Sequence, residues 1–496
     1  MCSLTNLDKF NLGKEARQFV YLIVILLVKI RQKEMAKLDI FYHGSDRKVA
    51  VVYGRRGIGK TTLLKEFANG KNMLWFTAYP TTDQMELHLM ADAFRLDIVE
   101  PRLEDILDEV TKMAEGSTFD HPLLLFIENY PDFAKASGDN GKILHKYVKD
   151  IWKKLPIKLV LSGESYMNLE KTLLGKKTVW SDINKMIMEM KPLSFLEARL
   201  FMDGLSPEEQ VGTYGITGGI PALLDLAERK KPKEAMETIF FCGMRTPYHP
   251  EVLMSSELRE LSYYNRMLTT LASGNQRVNE IAEEVGKPKD VVVPYMNTLI
   301  SIGLVKKETP VTEKTNRRKT RYSVVNTSDE FWYRYLTLNF KDVVEDNADE
   351  LWENVVLPDL DHYLKGVFCR IAQEYIMEEA SSKLLPFRID EIGNWWENDE
   401  QNHTTTGFDL VGLGTYSGEE TTVFCRVYYD DTPVEIQELK ALIELTRKMK
   451  TNGSSFYIVF SKAGFHENAI TVASAIKNIV LITLDDIIAG LDERSY

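Results

Sequence analysis

From Asp46 to Met190, short apolar runs alternate with stretches whose apolar residues return at helical spacing, the pattern of a parallel sheet covered on both faces. The runs predict strands at Val49 to Tyr53, Met73 to Thr77, Leu123 to Ile127, Ile157 to Ser162 and Met186 to Met190. A helical region follows from Ser194 to about Leu261, broken by the turn Thr217-Gly218-Gly219-Ile220-Pro221.

The stretch Tyr263 to Val325 changes character. Met267, Leu268 and Leu271 mark a first helix, Val278 to Val285 a second, and Tyr295, Leu299 and Ile302 a third, with Gly286-Lys287-Pro288 turning the chain between the last two. Strands follow at Leu304 to Glu308 and Arg321 to Val325, an order that resembles a helix-turn-helix with a two-stranded wing. Beyond an aromatic-rich helix, Phe331 to Phe340, and a connector around Leu351 to Asp361, the pattern returns to α/β. Its strands include Phe408 to Leu413, Thr421 to Tyr429, Phe456 to Phe460 and Val480 to Thr483.

A chain of 496 residues is too long for one hydrophobic core, since cores stop growing near roughly 250 to 300 residues, and several domains are expected. With 44% hydrophobic and 27% charged residues the composition is that of a globular protein, not a disordered or fibrous one. The net charge of -12 means that any nucleic-acid surface must be a local patch on a chain that repels phosphate overall. Cys2, Cys242, Cys369 and Cys425 form no C-x-x-C pair, so neither a zinc site nor a disulfide framework is indicated, and a cytoplasmic location is expected. The apolar run Phe19 to Val28 reaches only about half of the roughly 30 Å bilayer core, so no membrane span is expected. It reads as a buried or partner-covered helix or as translated sequence upstream of the true start, with membrane contact as the alternative; as a signal-like apolar segment it lacks a small-residue cleavage site.

The first strand runs straight into Gly54-Arg55-Arg56-Gly57-Ile58-Gly59-Lys60-Thr61, which fits G-x-x-x-x-G-K-[ST], the phosphate-cradling loop of nucleoside triphosphatases. Gly54, Gly57 and Gly59 let backbone N–H groups approach phosphate oxygens, and the helix that begins through Thr62 turns its N-terminus to the negative charge. Lys60 would meet the β and γ phosphates, and the Thr61 hydroxyl would ligate magnesium, making ATP and Mg2+ the expected cofactors. The alternative is a structural glycine-rich turn. The apolar strand from Leu123 delivers Glu128 and Asn129 where the usual chemistry has Asp-Glu. Glu128 can hold the metal; Asn129 cannot accept a proton, and losing a general base typically costs about 10²- to 10⁴-fold in rate. Ser162, ending the next strand, is placed to sense the γ-phosphate, and Glu164 or Asp132 is a candidate for a relocated base or simply a structural carboxylate. Between the wing strands, Lys314, Arg317, Arg318, Lys319 and Arg321 either meet DNA phosphates or form a solvated hairpin tip.

Phosphate loop, lid with Gly219-Ile220-Pro221, winged helix and terminal α/β unit, in that order, resemble the archaeal-type ATPases of the signal-transduction class, which are STAND-like and AAA+-related. The likeness covers roughly Ile30 to Asp486 and includes Arg31-Gln32-Lys33-Glu34-Met35, Lys191-Pro192-Leu193-Ser194-Phe195-Leu196-Glu197-Ala198 and Phe331-Trp332-Tyr333-Arg334. It implies an N-terminal extension (1–29), a P-loop ATPase core (30–192), a helical lid (193–261), a winged helix (262–345) and a terminal α/β domain (346–496). It also implies that Gly219 and Pro221 lie near the adenine, with Lys60, Thr61, Glu128 and Ser162 around the phosphates. The sequence departs from the family at three places. Asn129 replaces the expected glutamate. Between Gly175 and Met186, where the family usually has arginines that reach the γ-phosphate, stand Lys176, Lys177, Val179, Trp180, Ser181 and Asp182. The terminal unit of these relatives looks like a restriction-endonuclease core, with a helix Glu, a strand Asp and a Glu-x-Lys pair. This chain has Cys369, Asp409 and Phe424-Cys425-Arg426 at those positions, and one carboxylate cannot assemble the metal site.

The expected function is therefore an ATP-binding switch with weak or absent hydrolysis, reporting its state to a protein partner. The alternatives are an active ATPase coupled to DNA and a winged-helix DNA-binding regulator. Related ATPases often assemble, so a homo-oligomer stays open, although no heptad repeat is visible.

Overall fold

The computed structural model describes residues 30–164, 166–241, 250–255, 258–379, 385–399, 404–449, 451 and 453–492. The apolar run Phe19 to Val28, with the rest of 1–29, and Cys242 lie outside them. The chain divides into two compact units, one ending at Pro192 and one beginning at Leu193.

The first unit is an α/β fold around five parallel strands: β1 (Val49–Tyr53), β2 (Met73–Thr77), β3 (Leu123–Glu128), β4 (Ile157–Gly163) and β5 (Lys185–Glu189). Their order across the sheet is β2-β3-β4-β1-β5. The central strands are largely apolar because both faces are covered; Lys158 near the start of β4 is the exception, its ammonium donating to the Gly44 and Arg47 carbonyls. Leu123, Leu125 and Ile127 pack with Val49, Val51, Leu159 and Leu161 under helices that include Leu103–Glu115 and Tyr130–Ala136. Leu124, Phe126, Ala50, Val52 and Val160 face the other way, against Lys60–Ala68 and Gln32–His43. Alternation of period two thus sorts one apolar run into two cores. The parallel register aligns Thr77 with Glu128 and Val52 with Ser162, so the chemistry-bearing residues gather at the carboxyl edge of the sheet, where open α/β sheets bind ligands.

The second unit opens with helices whose starts are written locally. Ser194 and Ser206 each accept from the backbone of a glutamate three residues on, while that glutamate reaches back. Helices Leu261–Ala272, Val278–Val285 and Lys289–Ser301 then precede an antiparallel pair, β6 (Val305–Glu308) and β7 (Arg321–Val324). A long helix, Leu360–Glu379, leads into a second sheet of β8 (Ile389–Asp399), β9 (Thr404–Tyr416), β10 (Glu419–Tyr428), β11 (Ser454–Ser461) and β12 (Ile479–Thr483). The first three strands are antiparallel, and β10, β11 and β12 are parallel. β8 is the strand the sequence pattern missed. Its register shifts between Ile389 and Glu391 and again between Gly393 and Trp395, so its apolar residues do not keep period two.

Candidate nucleotide site

The loop after β1 has the backbone its glycines predict: φ is 154° at Gly54, 81° at Gly57 and 88° at Gly59, all values that side-chain-bearing residues rarely adopt. Gly54 also packs tightly, since a Cβ there would fall 2.4 Å from the Met190 carbonyl oxygen. Gly54→Ala is expected to lower stability by about 2 kcal/mol or more. Denaturant unfolding checks this, and an unchanged midpoint would contradict the packing. Gly59 caps the helix Lys60–Ala68 in the left-handed conformation, so the helix N-terminus opens onto the loop.

The Lys60 side chain is buried, and its ammonium donates to the carbonyls of Gly54 (2.7 Å) and Arg55 (3.2 Å). Burial pushes its pKa down to about 8, against the pull of Glu164 and then Glu128. The Thr61 hydroxyl donates to Glu128 Oε1 at 2.6 Å. Residues 67 positions apart in sequence therefore meet, a hydroxyl and a carboxylate of the kind Mg2+ takes as ligands. Glu128 Oε2 accepts from the Thr77 hydroxyl (2.9 Å) and from Trp75 Nε1 (3.2 Å). Neither Thr77 nor Trp75 was anticipated; the signal available was the position of both on the strand that pairs beside β3. Thr62 is half-buried in the first helical turn.

Asn129 follows Glu128 with φ 54° and ψ 42°, a left-handed conformation that asparagine tolerates better than most residues. Its amide donates to the Ala78 carbonyl at 3.3 Å. Ser162 is buried at the end of β4. Glu164, largely exposed, lies 3.9 Å from the Arg56 guanidinium. Asp132 sits in the first turn of Tyr130–Ala136, its pKa raised by burial. A further carboxylate, Glu86, is fully buried with neither oxygen hydrogen-bonded within normal distance. Burial pushes it up to about 7, only partly offset by the nearby Tyr79 backbone, and Asp132 and Asp83 push the same way.

The segment in which the resemblance leads one to expect arginines is fixed by its own contacts. Trp180 is buried and donates to the Tyr130 hydroxyl at 2.7 Å; Asp182 pairs with His145 (2.8 Å) and Lys149 (2.7 Å). Lys149 first and His145 second hold the Asp182 carboxyl down at about 2. Lys176 and Lys177 are exposed.

In the second unit, Gly219 (φ 68°) packs so closely on Leu193 that a Cβ would lie 2.1 Å from its carbonyl oxygen, and Pro221 opens the helix Pro221–Leu226. The five cations of the hairpin, four between its strands and Arg321 at the start of β7, are not equivalent. Lys314 pairs with Glu391, Lys319 with Glu313 at 2.6 Å, and the Arg321 guanidinium stacks 4.5 Å over the Trp396 ring. Arg317 and Arg318 are exposed on the short turn Arg317–Lys319. Of the residues set against an endonuclease core in the sequence, Asp409 accepts from the Val427 N–H (2.9 Å) and faces Arg426 (3.7 Å), while burial first and Asp409 second push the Cys369 thiol up to about 12. No helix among the described residues is long and apolar enough to cross a membrane.

A parallel sheet with this loop at its carboxyl edge has the P-loop NTPase arrangement, and the sequence profile of the family described as "AAA domain" matches residues 46–199. A second family, described as archaea bacterial proteins of unknown function, matches residues 332–440. The chain is 24% identical over 428 residues to the uncharacterized protein MJECL04 of Methanocaldococcus jannaschii, covering 86% of this chain and 93% of that protein. Among solved structures it is similar to the Walker-type ATPase PABY2304 of Pyrococcus abyssi, with 16% identity, a TM-score of 0.47, and 61% of this chain and 95% of that one covered. It is also similar to the ORC2 protein of Aeropyrum pernix, with 15% identity, a TM-score of 0.43, and coverage of 65% and 93%.

Proposed function

We propose that this protein is an ATP-binding switch of the STAND-like kind, which holds Mg2+–ATP and hydrolyses it slowly or not at all. Lys60 and the loop glycines would bind the phosphates, and Thr61 and Glu128 would hold a magnesium ion, which would supply neutralisation of phosphate charge. The observation that carries the reading is the pair of neighbours ending β3. Glu128 bonds Thr61, while Asn129, in the position of the proton acceptor, spends its amide on the Ala78 carbonyl. The helices and hairpin of 262–345, as a winged helix, and the terminal domain, as a degenerate endonuclease fold used for docking, report the bound state to a protein partner. Calorimetry with Mg2+–ATP beside a phosphate-release assay tests the proposal: tight binding with slow release is expected. Rapid release or no binding overturns it.

A second reading, slow turnover by a relocated base, is favoured by one observation: the Glu164 carboxylate lies 3.9 Å from the guanidinium of Arg56 in the phosphate loop. Residual release lost in Glu164→Gln, with binding intact, would support it. DNA contact through the hairpin is less well supplied, because Lys314, Lys319 and Arg321 already have partners within the unit and the contact falls to Arg317 and Arg318.

A further inference from the structure

The second unit carries a cleft of about 670 Å³ between the hairpin loop and the edge of the second sheet. Val311, Leu413 and Met449 supply the apolar part of its lining and are continuous with the core beneath that sheet. Thr422 interrupts this surface. It is 5% exposed and lines the cleft, and its hydroxyl has no hydrogen-bond partner among the described residues.

The opening of the cleft is acidic. Glu313 and Glu391 are occupied by Lys319 and Lys314. Asp390 and Glu420 are exposed and have no ion-pair partner among the described residues. Strand register explains how these two come to the same cleft. Glu391, Leu413 and Thr422 form one row across β8, β9 and β10, and Glu420 lies two residues from Thr422 on the same face. Ile389 pairs with Gly414 and Glu391 with Leu413, so Asp390 is the extra residue of a β-bulge, a device that re-aims a side chain. A bulge that adds an unpaired acid to a cleft lined by a second one two strands away, together with apolar side chains and one free hydroxyl, suits a cation carried on an apolar stem.

We propose that this cleft binds an alkyl cation, its stem over Val311, Leu413 and Met449 and its ammonium or guanidinium head between Asp390 and Glu420, with Thr422 bonding a polar atom of the same ligand. A free polyamine and a lysine- or arginine-bearing peptide segment share that chemistry. The inference does not depend on the nucleotide reading.

The test is calorimetric titration of the full chain with spermidine and, separately, with a short lysine-containing peptide, using the same peptide acetylated on its lysines as the neutral control. Binding of either cation and not of the acetylated peptide is expected, and which of the two binds identifies the source. Asp390→Asn with Glu420→Gln is expected to weaken binding about tenfold. Thr422→Val is expected to weaken it less, and a charge-matched control, Asp97→Asn with Glu115→Gln, to leave it unchanged. The proposal is overturned if neither cation binds, if the acetylated peptide binds as well, or if both double variants lose affinity equally, since that would mark general attraction to an acidic chain.

Discussion

Lys60→Ala should weaken binding of a fluorescent ATP analogue about 30-fold or more, because truncating a buried, hydrogen-bonded charge typically costs about 2 to 5 kcal/mol. The ammonium is held inside the loop by the Gly54 and Arg55 carbonyls, so the variant loses a pre-placed cation and not a mobile surface charge. Equal affinity in the two proteins would discard the phosphate-loop assignment. The pH dependence adds an independent check. Burial lowers the Lys60 pKa to about 8, and triphosphate binds the charged form, so affinity should be flat near pH 7 and fall above pH 8 by up to about tenfold per unit. Stability of the free protein responds oppositely. Between about 8 and the unfolded value of 10.5 the unfolded chain holds more protons than the folded one, so the Lys60 contribution to stability rises with pH across that window. Affinity falling while this contribution rises distinguishes lysine titration from alkaline unfolding.

The sheet that positions Lys60 was legible because its strands are buried on both faces and punctuated by turns. Val49–Tyr53 and Met73–Thr77 have the expected bounds, and the others differ by a residue at one or both ends. Glu128 was legible for the same reason, as the first polar residue after five apolar ones. What surrounds it was not. Trp75 and Thr77 reach Glu128 only through the pairing of β2 with β3, a non-local fact that no spacing along the chain encodes. The cations of the hairpin fail in the converse way. Five basic residues within eight positions read as a phosphate-binding patch, yet the partners that engage Lys314 and Arg321, Glu391 and Trp396, lie on a strand about 75 residues downstream that the pattern did not reveal. Local charge density in a sequence thus overstates free charge whenever the opposing strand is irregular.

Asn129→Glu should raise phosphate release, by about 10²-fold and not the full range to 10⁴, because the position resists the replacement. Its φ of 54° suits asparagine and strains glutamate, and the amide bond to Ala78 is lost. The same variant should therefore unfold more easily, by about 1 kcal/mol in denaturant titration. Asn129→Asp separates the two effects. Aspartate tolerates the left-handed backbone better but stops one methylene short, so it should keep stability and gain less turnover. Turnover in the order Glu, Asp, Asn, together with stability in the order Asn, Asp, Glu, would mean that the chain has given up a proton acceptor for a residue that settles into the turn after β3. Binding intact in all three, with no gain in release from Asn129→Glu, would show that the barrier to hydrolysis lies elsewhere, with Lys176 and Lys177, in the segment where the resemblance implies arginines, as the next residues to replace.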